Sequence, residues 1–125
     1  MLDRQKVRRI ANLLDRAADH MDEVGLVKGT FYKSFDIMDY SGEDKTVLRL
    51  GHGKYKNAPC CAYGALYAKA GSTDDVYLAS RLVCADLGEQ WEYDGLDGWN
   101  DAKGRQKRHV VSAFRRTAAR LRGAR

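Results

Sequence analysis

Residues 3–24 read DRQKVRRIANLLDRAADHMDEV, and this segment indicates a helical fold. Its apolar residues recur at intervals of three and four, which places them on one face of an α-helix. Gly25 follows the last of them and predicts the helix end, because glycine readily adopts the left-handed conformation that terminates helices. We therefore expect an amphipathic helix whose buried face carries Val7, Ile10, Leu14, Ala17, Ala18, Met21 and Val24.

The opposite end of the chain carries a second amphipathic pattern. We expect a helix that begins between Ala102 and Arg105 and runs to about Leu121. Its apolar residues span roughly 100–120° of a helical wheel, as a core-facing stripe should, and most of its arginines fall on the opposite side. The stripe comprises Val110, Val111, Phe114, Ala118 and Leu121.

Two further helices are predicted between these ends. One starts near Pro59, which suits a first helical turn, and closes at Gly71; within it, Gly64 and the nearby alanines permit close approach of another helix. The next opens at Ser72, where Ser72–Asp75 resembles a capping box, and ends at Gly88. Its inward residues are Val76, Ala79, Leu82, Val83 and Leu87.

The remaining segments predict a hairpin and a loop. Residues 30–37 and 46–50 are rich in β-branched and aromatic residues and flank a polar stretch with a glycine, which indicates a β-hairpin packed on the helices. Residues 89–101 form an acidic loop in which Trp99 fills the core and Asn100 or Asp101 caps the last helix. The expected fold is mainly α: about four helices in a small bundle with one inserted β-hairpin (α+β), as a single domain over residues 1–125.

Composition narrows the class of protein. The chain has 125 residues, 44% hydrophobic and 31% charged, which is typical of a soluble globular domain. No apolar run approaches the roughly 18 residues of a membrane-spanning helix, and the charged start lacks a signal-peptide core. We therefore expect a cytoplasmic protein with no membrane association.

The charge distribution predicts a partner. Nine of the 22 basic residues lie between residues 103 and 125, where there is no acidic residue, so residues 1–102 carry a net charge of −4. Such polarity favours a polyanion or an acidic protein partner. The alternative is a solvated helix face whose charges pair with the acidic loop. The nine residues are Lys103, Arg105, Lys107, Arg108, Arg115, Arg116, Arg120, Arg122 and Arg125.

Three short motifs, taken together, resemble a family of small uncharacterised actinobacterial and actinophage proteins. They are Gly25 with Gly29, Cys61 followed by Gly64-Ala65-Leu66, and Trp99-Asn100-Asp101 ahead of a helix with buried Val110. Leu26 replaces the family's usual tryptophan, and the predicted hairpin reads as an insertion. The resemblance implies a helical domain of unknown function from a phage or an actinobacterium, and it implies no activity.

The other reactive side chains favour structural roles. Cys60, Cys61 and Cys84 lie in helical patterns without a Cys-x-x-Cys pair, so we expect free core thiols and neither a metal site nor a cofactor. A Cys61 nucleophile activated by His52 is a less favoured alternative. His52 and Lys54 lie in a glycine-rich segment that lacks the phosphate-loop framework but is a candidate site for a small phosphorylated ligand.

These patterns predict a non-enzymatic, phage-type accessory protein of the host cytoplasm that binds nucleic acid electrostatically. The residues expected to carry binding are Arg108, Arg115, Arg116, Arg120 and Arg122. One alternative is a protein-interaction or host-modulating (anti-defence) module that contacts an acidic host protein. Another is the binder of a small phosphorylated ligand. The sequence leaves the oligomeric state open.

Overall fold

A computed structural model describes residues 2–123, and all regular secondary structure in that range is helical. Arg125, counted above among the basic residues, lies outside it. No helix in that range is long and apolar enough to cross a membrane. The elements are α1 Arg4–Val24, a 3-10 turn Ile37–Asp39, α2 Asp44–His52, α3 Ala62–Lys69, α4 Thr73–Leu87, α5 Glu89–Asp101 and α6 Lys107–Gly123.

The first and last helices form the largest packing unit. Asp3 caps α1 by accepting a hydrogen bond from the Lys6 backbone N–H at 2.8 Å, and Gly25 ends it with a φ of 93°. The two helices run antiparallel, since Lys107 at the start of α6 reaches Asp22 while Arg122 near its end reaches Asn12. The amphipathic helices predicted at both ends are therefore present, although α6 begins at Lys107 and not between Ala102 and Arg105. Their shared core includes Ile10, Leu14, Ala18, Val110, Phe114 and Leu121.

The predicted β-hairpin is wrong. The described residues contain no strand, and Thr46–Leu50 lies within α2. Val47 and Gly51 are buried one helical turn apart, and an acidic residue, Asp44, occupies the first turn, where it is favourable to the helix dipole. Because β propensity chiefly reflects packing context, these contacts outweigh the β-branched composition of the segment.

The first half of the supposed hairpin wraps around Cys60 without forming a sheet. Isolated bridges join Cys60 to Leu26 and to Tyr32. The segment then turns, and Tyr32 stacks on Tyr55 with 5.2 Å between ring centroids. The Tyr32 hydroxyl donates a hydrogen bond to the Val47 carbonyl at 2.9 Å, and a Cβ at Gly51 would overlap that hydroxyl. An aromatic cluster therefore fixes this segment against α2.

The predicted acidic loop is also wrong, because residues 89–101 form α5, interrupted only at Gly95, whose φ is 83°. Leu96, Trp99 and Asn100 are buried at helical spacing. Asn100 and Asp101 therefore lie in the last turn of α5 and do not cap α6. With α2 and α5 added, the described chain holds six α-helices rather than about four. Ser72 does cap α4, as predicted, by accepting from the Asp75 N–H.

His20 is a polar group inside this helical core. Its side chain is 4% exposed, and its Nε2 has no hydrogen-bond partner among residues 2–123. Burial lowers the pKa of His20 below its ordinary value of 6.5; Lys69 acts in the same direction, and Glu23 opposes it. The folded protein therefore favours the neutral imidazole.

We expect acid to destabilise the protein through His20. The unfolded chain binds this proton near pH 6.5, and the folded chain only at lower pH. The free energy of unfolding should thus fall by up to about 1.4 kcal/mol per pH unit as the pH drops from 6.5 towards the folded pKa. Urea midpoints of the parent and His20→Leu, measured on both sides of that range, check this. Equal pH slopes for the parent and His20→Leu would contradict it, and His52→Leu, at an exposed histidine, is the control.

Candidate nucleic-acid interface

Three of the five arginines expected to bind nucleic acid form ion pairs within the protein. Arg115 and Arg122 both contact the carboxylate of Asp15 on α1. Arg120 Nε lies 2.8 Å from Asp86 Oδ1 on α4. The acidic partners of α6 are therefore on α1 and α4, and not on residues 89–101 as the sequence-based alternative proposed.

Arg108 and Arg116 behave differently. Both are exposed, and neither has a hydrogen-bond or ion-pair partner among the described residues. Arg105, closer to the core, lies over the Trp99 ring at 4.2 Å and donates to the Trp99 carbonyl at 2.8 Å. Partial burial lowers the pKa of Arg105, whereas a hydrogen bond to Asp19 raises the pKa of Arg115. Only part of the basic content of α6 is therefore without a carboxylate partner in the described chain.

The structure adds basic residues that the sequence analysis missed. Because α1 and α6 are antiparallel, the basic N-terminal half of α1 lies beside the C-terminal half of α6, as the 2.8 Å hydrogen bond from Arg122 to Asn12 shows. The net charge of −4 over residues 1–102 had placed α1 in the acidic part of the chain. We call the combined surface the basic face; it comprises Arg4, Arg8, Arg9 and Arg16 of α1 with Arg116 and Arg122 of α6. The carboxylates of Asp15 and Asp19 lie at the seam between the two helices.

A groove of about 230 Å³ lies on the α1 side of the basic face. Its lining residues contain no carboxylate. Arg9 is held there by two hydrogen bonds to Asp75, at 2.9 and 3.0 Å, which also raise its pKa. Asp75, which belongs to α4, is only 7% exposed. The orientation of the Arg9 guanidinium is therefore set by a buried carboxylate. The groove is lined by Gln5, Arg8, Arg9, Asn12 and Arg16.

The other residues proposed as ligand contacts are placed less favourably. Lys54 donates to Asp39 at 2.6 Å, an interaction that raises the pKa of Lys54 and lowers that of Asp39. This carboxylate opposes phosphate binding at Lys54. His52 is exposed at the end of α2. Tyr55, next to Lys54, is only 5% exposed, so its ring is not available for stacking on a nucleic-acid base.

Asn100 joins three segments of backbone. Its Oδ1 accepts a hydrogen bond from the Ala62 N–H at 2.8 Å, and its Nδ2 donates to the Val27 carbonyl at 3.2 Å. Asp101, next to it, accepts from the Gly29 N–H at 3.1 Å. Trp99 is 3% exposed in the core below. The Trp-Asn-Asp motif thus ties α5 to the start of α3 and to the turn after α1.

The three cysteines are free and buried. Burial raises the pKa of Cys60 to about 12 and the pKa values of Cys61 and Cys84 to about 11. Nucleophilic chemistry requires a thiolate, so these environments oppose it. Cys61 serves as the N-cap of α3, where its sulfur accepts from the Gly64 N–H at 3.3 Å. Within residues 2–123, no three His, Cys, Asp or Glu side chains converge on one metal position.

Comparison with known proteins identifies the family. A family described as a family of unknown function, DUF6197, matches residues 5–120, and the chain belongs to it. The resemblance to an uncharacterised family is therefore confirmed. No curated protein and no solved structure matches the chain.

Proposed function

We propose that this protein binds nucleic acid electrostatically through the basic face of α1 and α6. The observation that supports this function is the antiparallel packing of the two helices, which gathers arginines from distant parts of the chain on one surface. Guanidinium groups suit phosphates because their planar N–H donors match two oxygens at once. Because the sequence contains no recognised motif for sequence-specific binding, we expect the affinity to depend on salt and to show little sequence preference.

The unpaired arginines should carry most of this affinity. Arg8 and Arg116 have no ion-pair partner among the described residues, so their charge attracts phosphate without first breaking an internal contact. Arg115, in contrast, faces both Asp15 and Asp19. We therefore expect Arg8 and Arg116 to contribute more to binding than Arg115, although the sequence pattern treated the arginines of α6 alike.

Fluorescence anisotropy of labelled single-stranded and duplex DNA and RNA tests the proposal. The double variant Arg8→Gln/Arg116→Gln should bind more weakly, and its log–log salt slope on duplex DNA should be smaller by about 0.9 for each phosphate that the variant no longer neutralises. The matched control is Arg49→Gln/Lys56→Gln, which removes the same charge from α2 and the loop after it. These residues lie away from the basic face, because α2 packs mainly on α3.

The control separates a local interface from net charge. Equal weakening in both double variants would show that binding follows overall charge and not the basic face. No binding of any nucleic acid at low salt would overturn the proposed function, and the basic face would then be a surface for an acidic protein.

A further inference from the structure

We infer that the groove between Arg8 and Arg16 binds a phosphomonoester, and that its ligand is the terminal phosphate of a nucleic-acid strand. The choice of a strand end rests on the proposed function; recognition of the phosphate group rests on the groove alone. This assignment makes one part of the basic face specific for strand ends, while the rest contacts internal phosphates.

Donor groups dominate the lining of the groove. Arg9 gives its Nε–H and one Nη2–H to Asp75, which leaves its other guanidinium hydrogens for a ligand. The orientation of Arg9 is therefore set before a ligand arrives, and less conformational entropy is lost when the ligand binds.

Asn12 is oriented in the same way by α6. Its Oδ1 accepts a hydrogen bond from Arg122 Nη2 at 2.8 Å, and a guanidinium can only donate, so the acceptor end of the amide is occupied. The Nδ2 group remains as a donor without a partner among residues 2–123. The contact behind the groove thus occupies the acceptor of Asn12 and leaves its donor, the arrangement that phosphate oxygens require.

The charge of the groove matches a terminal phosphate. Arg8 has no partner in the described chain, and Arg16 makes one hydrogen bond, to the Lys69 carbonyl at 3.4 Å, so neither charge is neutralised by a carboxylate. Two uncompensated cations face a phosphomonoester of about −1.5 to −2 charge at neutral pH, whereas an internal phosphodiester carries only about −1. A terminal phosphate also projects beyond its sugar and can enter a concave site more readily than an internal one.

The test compares one short DNA strand in three forms: 5′-phosphorylated, 5′-hydroxyl and circularised. Each form competes against a labelled strand in an anisotropy assay. The parent protein should prefer the 5′-phosphorylated form by about tenfold, a gain typical of a few charge-assisted hydrogen bonds. Arg8→Gln/Arg16→Gln should lose this ratio, and Arg49→Gln/Lys56→Gln should keep it. Arg9 is left intact because its removal would leave buried Asp75 unpaired.

Each outcome decides one of the two proposals. Equal affinity for the three forms overturns the phosphomonoester site and leaves nucleic-acid binding standing, as does a preference that survives in Arg8→Gln/Arg16→Gln. If no form binds, and no duplex DNA or RNA binds at low salt in the anisotropy assay above, the proposed function fails. A titration with inorganic phosphate, followed by NMR of the arginine side chains, tests phosphate binding in the groove separately. Chemical-shift changes at Arg8 and Arg16 would support phosphate binding there, and unchanged spectra would overturn it.

Discussion

Replacing Gly64 by alanine should lower the free energy of unfolding by about 3 kcal/mol, a large effect for one added methyl group. Gly64 lies in the first turn of α3, where a Cβ would overlap the Phe31 carbonyl oxygen and lie 2.9 Å from the Cys60 Cβ. That carbonyl is held in place because it accepts a hydrogen bond from the Cys61 N–H at 3.0 Å. Relief would require the backbone of residues 31 and 61 to separate, and urea denaturation followed by circular dichroism measures the cost.

Gly71→Ala provides the matched control for Gly64→Ala. A Cβ at Gly71 meets no atom within 4 Å, so the same substitution there should change stability by less than about 0.5 kcal/mol. If the two variants unfold at the same urea concentration, the close approach at Gly64 does not constrain the fold. The sequence had already singled out Gly64 as a site of close approach; the structure identifies the approaching group as backbone, not a second helix.

The amphipathic helices could be predicted because their signal is local. In α1, the apolar spacing, the cap at Asp3 and the terminator Gly25 all agree over 21 residues. In α2, only nine residues form the helix, and the β-branched pair Thr46 and Val47 lies at its centre. So short a segment is decided by what it packs against, and Tyr32 is the contact that the sequence could not supply.

The prediction of an acidic loop at residues 89–101 was wrong for a related reason. Gly95 and Gly98 dilute the helical pattern of α5, so the burial of Leu96, Trp99 and Asn100 on one side is difficult to recognise without the fold. The basic face could not be predicted from the sequence either, because the order of charges along the chain does not show which of them share a surface. Arg8 and Arg122 are far apart in the chain, and only the antiparallel packing of α1 on α6 brings them to the same surface.

Asn100→Ala should destabilise the protein by about 2–4 kcal/mol, because it leaves buried polar groups unpaired and opens a small cavity. The side chain is 1% exposed, and the Ala62 N–H and the Val27 carbonyl would both lose their hydrogen bonds to it. Thermal or urea unfolding followed by tryptophan fluorescence measures the loss. Asn57→Ala, at an exposed asparagine, should lie within about 0.5 kcal/mol of the parent.

Asn100→Asp distinguishes the hydrogen bonds from simple loss of volume. The introduced carboxylate keeps the shape and accepts from the Ala62 N–H, but it cannot donate to the Val27 carbonyl, and it lies beside Asp101. The folded state should therefore raise the pKa of the new group, so its destabilisation relative to the parent should be largest at neutral pH. As the pH falls towards about 4, the unfolded-state value, protonation restores a donor and the deficit should shrink. If Asn100→Asp were as stable as the parent at neutral pH, Asn100 would act through packing and not through the hydrogen bond that it donates to the Val27 carbonyl.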